Sequence, residues 1–315
     1  MDFLFTLLRS MPGAVGQGLI WGVMAIGVYI TYRILDVADL TVDGSLATGG
    51  AVCVLLTVNG CNIWVAVLCS ILAGMLAGLV TGFFHTFCGI PAILSGILTQ
   101  LALYSVNLRV MGWGTGAGTK ASLAVSVNDY PLLVSQRYVR EFTIENPLLL
   151  LGLFAAIVIA ALYWFFGTEL GCSLRATGSN PNMARAQGIA TNRNKVLGLM
   201  ISNGLVALSG ALLSQYQGGA TIDMGRGAIV IGLAAVIIGE VIFSKIFQNF
   251  ALKLLASVLG AIIYYIVIQF VLRLGLDSND LKLLTALVVA VFLALPYWKG
   301  KYLGKGLKKG GGVRA

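Results

Sequence analysis

Apolar stretches of roughly twenty residues recur along the whole chain, and that is the length a bilayer core requires of a helix. They fall at 18–35, 45–58, 63–84, 91–106, 147–166, 196–216, 227–243, 251–274 and 281–297. Composition closes the alternatives: 58% of the 315 residues are hydrophobic and 10% are charged. A soluble domain carries about 25% charged residues, so this chain cannot cover a water-facing surface. A disordered chain, a secreted disulfide scaffold and a soluble two-domain enzyme are all excluded. The expected fold is all-α and polytopic, with nine or ten spans. The second and seventh spans are short, contain glycine and are entered through polar residues, as broken helices are. Residues 1–17, interrupted by Arg9 and Pro12, read as an interfacial helix and not as a cleaved signal peptide.

Net charge is +9, from 21 Lys and Arg against 12 Asp and Glu. In a soluble protein this would raise nucleic acid as a partner, but here the position of the charge decides. Ten basic residues sit in two places: Arg175, Arg185, Arg193 and Lys195 in one loop, and six more in the tail at 298–315. Residues 175–195 and the tail are free of acids, and both stretches belong on the cytoplasmic side by the positive-inside rule. Loop 167–195 and the tail are therefore expected inside, segment 107–146 outside, with room there for a short re-entrant or surface helix. Membrane lipid is the expected surround and nucleic acid is not a partner.

The chain echoes itself. Leu40-Thr41-Val42-Asp43 returns as Ala220-Thr221-Ile222-Asp223, and Leu98-Thr99-Gln100-Leu101 as Leu284-Thr285-Ala286-Leu287. Five spans separate equivalent elements, so the halves (18–106 and 196–297, joined by a linking span at 147–166) would lie in opposite orientations. Inverted halves with broken helices at corresponding positions are a transporter signature.

Catalytic material is scarce. There is one histidine, His85, five cysteines without CxxC spacing, and no phosphate-cradling glycine loop. No catalytic or metal-binding residue is assigned. The loop after the fifth span holds two short helices parted by a turn at 178–180. Asn180 or Ser179 caps the second, Pro181 suits its first turn and Gly188 ends it. Such a rigid basic hairpin suits docking to another protein, although an ordinary charged loop would look similar. Among the acids, Asp36, Asp39 and Asp43 share one face if helical. Asp43 is placed to cap the second span and Asp223 the seventh, with Arg226 as partner of Asp223; a place in the transport pathway is the alternative role for Asp39, Thr41, Asp43, Thr221, Asp223 and Arg226. Glu240 and Lys253 are expected to pair, or Lys253 to snorkel. Ser95, Thr99, Gln100, Asn203 and Gln269 either line a pathway or bond helix to helix.

Loop residues Leu174, Arg175, Ala176, Gly178, Asn180, Pro181, Ala184, Gly188 and Ile189 stand in the pattern Leu-Arg-Ala-x-Gly-x-Asn-Pro-x-x-Ala-x-x-x-Gly-Ile. This resembles the cytoplasmic loop of bacterial ABC importer permeases of the branched-chain amino acid and ribose type. The helix 195–210, with Asn203, Gly204 and Gly210, and the run from Asp39 to Gly50 are similar to the same family, so the resemblance covers nearly the whole chain. It implies a permease subunit of the bacterial inner membrane with no cofactor of its own, working beside a second permease copy. It also implies two cytoplasmic ATPase subunits, which bind ATP and magnesium and grip residues 174–189, Arg185 included, as a coupling helix. An extracytoplasmic binding protein or lipoprotein would deliver the solute. The wording of Asp36–Ser45, Asp-x-x-Asp-Leu-Thr-Val-Asp-Gly-Ser, resembles a subgroup associated with amino acids, aromatic ones included. Two other classes remain open on the residues alone. One is a secondary transporter with Asp43, Asp223 or Glu240 as its ion site; the other is an intramembrane enzyme or scaffold, for which a single histidine offers little.

Overall fold

A computed structural model describes residues 2–273, apart from 114–117, 127–128, 131, 137–145 and 244–245, together with isolated positions between 283 and 294. The expected ninth span at 281–297, the basic tail at 298–315, and Arg137 and Arg140 lie outside the described residues or are described only at isolated positions. The other eight expected spans are all helices. In chain order these are α1 (Asp2–Tyr29, extended by a π-helical turn Ile30–Ile34), α2 (Val42–Val58), α3 (Ile63–Thr86) and α4 (Ala92–Gly112). Then come α5 (Pro147–Gly167), the short α6 (Glu169–Ser179) and α7 (Pro181–Ala186), α8 (Thr191–Gln217), α9 (Ala228–Phe243) and α10 (Phe250–Arg273). Six of them are long and apolar enough to cross a membrane, while α2 and α9 are shorter. The chain is an all-α, multi-pass membrane protein.

One expectation is corrected. Residues 2–17 are not a separate interfacial helix, because α1 runs through Pro12 into the first span without a break. Proline is tolerated in membrane helices where other groups re-satisfy the freed backbone carbonyl. Segment 107–146 begins with the last turns of α4, which runs to Gly112. It contributes a strand, β1 (Ser122–Ala124), paired antiparallel with β2 (Gly219–Thr221) in the register Ser122↔Thr221 and Ala124↔Gly219. The Gln215 side chain fastens this segment further by accepting from the Leu133 amide at 3.1 Å.

Early helices pack on late ones. On α3, Gly74, Gly78 and Gly82 lie in turn against Asn203 and Ala207, Leu199 and Val196 of α8, so the two helices are antiparallel. On α1, Gly18 and Gly22 meet Ile262 and Val258 of α10 in the same sense. Apolar side chains gain little from burial when lipid is the alternative, so close backbone approach supplies the packing, and small residues at the contact permit it. Large apolar side chains instead face outward on α3, α4 and α5, Leu72, Leu101, Leu149 and Trp164 among them.

Between Ile34 and Val42 the chain unwinds. Asp36 there has φ 54, a left-handed conformation open to Asp at modest cost. The acids at 36, 39 and 43 therefore do not share a helical face. The end of α1 sits beside α6, while Ser45, at the start of α2, bonds Asn203 near the middle of α8. The unwound segment thus carries the chain from the α6–α7 end of the bundle to its centre.

Candidate functional site

At the centre, the starts of the two short helices face each other. The Asp43 carboxylate accepts from the Gly227 and Ile229 amides, each at 2.9 Å. These are free donors at the start of α9, so Asp43 caps α9 across 184 residues of sequence and does not cap its own helix. Helix α2 begins at Thr41 with no side-chain cap. Asp223 does not cap α9 either. Residues 224–227, with Gly227 at φ +87, intervene, and Asp223 forms an exposed pair with Arg226 at 2.8 Å. The expected pairing with Arg226 is present; the expected cap is taken by Asp43.

Beside this junction lies a buried polar cluster. The Asp39 carboxylate, 2% exposed, accepts from the Thr41 amide at 2.9 Å and from Asn203 Nδ2 at 2.6 Å. Ser45 donates to Asn203 Oδ1 at 2.7 Å. The hydroxyls of Thr41 and Thr81 are 2.7 Å apart, and Thr81 donates to Thr99 at 2.9 Å. A chain unwound among apolar helices must satisfy its polar groups internally, which gives a physical reason for Asn, Ser and Thr at these positions. Asn203 and Thr99 are helix-to-helix bonding residues here. Ser95 turns to its own helix, donating to Ala92 O at 2.8 Å. Thr221 is exposed in β2, paired with Ser122, away from the cluster.

A cavity of about 150 Å³ opens where α2, α4 and the 222–226 turn meet, and Asp43, Gln100, Tyr104, Asn107, Asp223 and Arg226 line it. Tyr104 and Asn107 were not among the sequence candidates. Gln100, Tyr104 and Asn107 fall at i, i+4 and i+7, a polar stripe on one face of α4 that the sequence already carried.

At the far end of the unwound segment, α6 and α7 form the hairpin expected from the loop. Asn180 caps α7, accepting from the Met183 amide at 3.1 Å, Pro181 opens it, and Gly188 follows it at φ +80. Leu174 and Ala184 are buried, while Pro181, Met183 and Arg185 are exposed. Gly178 rests directly on the Ile34 carbonyl, at the end of α1's π turn, with no room for a Cβ. Ala176 and Ile189 are half-buried. Arg175 is held within the chain, donating to Phe166 O at 2.7 Å with its guanidinium 5.7 Å from the Phe250 ring centroid. It fastens the hairpin to α5 and α10. Arg185 donates to the Thr191 hydroxyl at 2.9 Å. Glu240 pairs with Arg33 at 3.0 Å, not with Lys253 as expected, because the π turn brings Arg33 to the end of α9.

Comparison with known proteins converges on one family. Residues 11–295 match the family described as branched-chain amino acid transport system, permease component. A tyrosine transport system permease protein of Clostridioides difficile is 41% identical over 287 residues, covering 91% of each chain. An uncharacterized protein of Rickettsia prowazekii is 35% identical over 89% of this chain and 95% of its own. The ribose import permease protein of Escherichia coli is 23% identical over 75% of this chain and 70% of its own.

Proposed function

Because the chain belongs to the permease-component family of branched-chain amino acid transport systems, we propose that it forms the translocation path of an ATP-driven importer whose solute is an amino acid, with aromatic ones favoured. The 41% identity to a permease named for tyrosine supports the choice of solute. In this reading the α6–α7 hairpin and the tail face the cytoplasm of a bacterial inner membrane. Residues 174–189 dock two ATPase subunits that supply ATP and magnesium. A binding protein or lipoprotein delivers solute at the opposite end, and a second permease copy completes the path. Residues 18–106 and 196–297 act as inverted repeats that rock against each other. Nucleotide drives the motion only through unequal affinity for the inward- and outward-open states.

The contact of Gly178 with Ile34 carries this reading. It joins the exposed hairpin to the unwound segment that ends at the central cluster, so a displacement of α6 is passed to the backbone between α1 and α2. The test is reconstitution in vesicles with the ATPase and binding protein encoded beside it. ATP-dependent uptake of labelled tyrosine, unchanged when ion gradients are collapsed, is the expected result. A permease that purifies alone and moves solute down an ion gradient overturns the proposal.

A further inference from the structure

The cavity between α2, α4 and the 222–226 turn has a composition that the packing of the bundle does not require. We propose that it is a binding station for the zwitterionic head of an α-amino acid, with Arg226 taking the carboxylate and Asn107, Asp43 and Asp223 taking the ammonium. The proposal rests on the importer reading and adds to it a site within the permease itself.

Asn107 points to a ligand most directly. It is 1% exposed, it lines the cavity, and its Oδ1 has no hydrogen-bond partner among the described residues. Buried acceptors are nearly always satisfied, and one left open beside a cavity calls for a donor. An ammonium group brings three donors and no acceptor. Asp43 keeps lone pairs free after its two amide bonds, and Asp223 stands on the rim. Two carboxylates and one guanidinium leave a net negative charge, to which an ammonium is attracted. The Arg226–Asp223 pair is exposed on both sides, at 64% and 60%, so opening it costs little. A zwitterion replaces that one pair with two: its carboxylate meets the guanidinium fork side-on, and its ammonium meets the acids. A neutral polyol leaves the Arg226–Asp223 pair as it is and brings Asp43 no counter-ion.

Size agrees. The cavity, about 150 Å³, has room for the head of an α-amino acid, which is five non-hydrogen atoms. The side chain stays outside the cavity, running along Leu101 and Tyr104, both exposed on α4. The station therefore reads the head common to all amino acids and tolerates different side chains, with Tyr104 offering a face to aromatic ones.

Saturation-transfer NMR on the permease–ATPase complex in nanodiscs, without binding protein, reads this directly. The probes are L-tyrosine, tyramine, 3-(4-hydroxyphenyl)propionate and D-ribose. The expected result is saturable tyrosine binding, at least tenfold weaker binding of each single-pole analogue, and none of ribose. Arg226→Gln weakens tyrosine at least tenfold, Arg226→Lys restores part of it, and Asn107→Leu weakens it similarly; should that variant fail to assemble, Asn107→Ser reads the same acceptor. Equal binding of tyrosine and tyramine, or unchanged affinity in Arg226→Gln, overturns the proposal. A complex that imports tyrosine with ATP but shows no such binding overturns this station alone. A complex that uses ATP to import a solute lacking ammonium and carboxylate overturns the amino-acid reading, and the station with it.

Discussion

Removing the Asp43 carboxylate should loosen the start of α9, not the start of the helix that Asp43 belongs to. Asp43→Ala strands the Gly227 and Ile229 amides, both now bonded at 2.9 Å. A stranded buried donor costs about 1–3 kcal/mol. Loss of a negative charge at a helix N-terminus adds about 0.3–2 kcal/mol. Asp43 is half-buried beside a cavity, so water relieves part of this, and about 2–4 kcal/mol is expected in total. Asp43→Asn keeps one acceptor oxygen and should cost about 1–2 kcal/mol. Asp223→Ala breaks only an exposed pair and should cost under about 1 kcal/mol. Thermal unfolding in detergent gives the order Asp43→Ala, then Asp43→Asn, then Asp223→Ala. Hydrogen exchange locates the effect, with protection lost at 227–231 in Asp43→Ala. If those amides stay protected while 42–46 become labile, Asp43 caps α2 and the cross-chain junction is wrong.

Other perturbations test the path from hairpin to centre. Gly178→Ala forces a Cβ into the Ile34 carbonyl; overpacking of this kind costs about 1–3 kcal/mol, and uptake should fall at least tenfold while the protein still inserts, as reconstituted transport would show. Arg175→Lys loses the guanidinium bond to Phe166 and the contact with Phe250, which should lower stability by about 1–2 kcal/mol and reduce ATPase co-purification. Asn203→Leu leaves one Asp39 oxygen and the Ser45 hydroxyl without their partners; about 3–5 kcal/mol is expected in unfolding, and a loss under 1 kcal/mol would refute the cluster's structural role.

What the sequence made legible is what local rules decide. Spans follow from apolar length, and the hairpin from Asn180, Pro181 and Gly188, each acting within a few residues of itself. The capping role of Asp43 was read correctly as chemistry and assigned to the wrong helix. An acid beside a short helix caps whichever free N-terminus packing brings to it, and here that lies 184 residues away. The echo between Thr41-Val42-Asp43 and Thr221-Ile222-Asp223 misled in the same way. Asp223 stands five residues before Ala228, the first of α9, and so lies in an exposed turn where Asp43 lies in the first turn of α2. Asn203 and Thr99, read as lining a pathway or bonding helix to helix, are bonded to neighbouring elements. Tyr104 and Asn107 were missed although their spacing with Gln100 was visible, because a stripe on α4 gains meaning only when the 222–226 turn closes over it.

The polar residues of this chain collect where the backbone unwinds, and the bilayer accounts for that. A helix meets its own hydrogen-bonding needs; residues 35–41 cannot, so Asn203 and Thr81 bond the Asp39 and Thr41 side chains from neighbouring helices, and Ser45 in turn holds Asn203. The same bonds make the segment a natural place for movement, since exchanging one set of partners for another costs less than breaking helical turns. Its upstream end is pinned beneath Gly178, and its downstream end opens α2, whose first acid holds α9. Movement applied to the hairpin therefore reaches both short helices through seven residues and one carboxylate, without bending any long helix. If that route carries the coupling, stiffening either end alone should block it, and the two lesions combined should do little more than one.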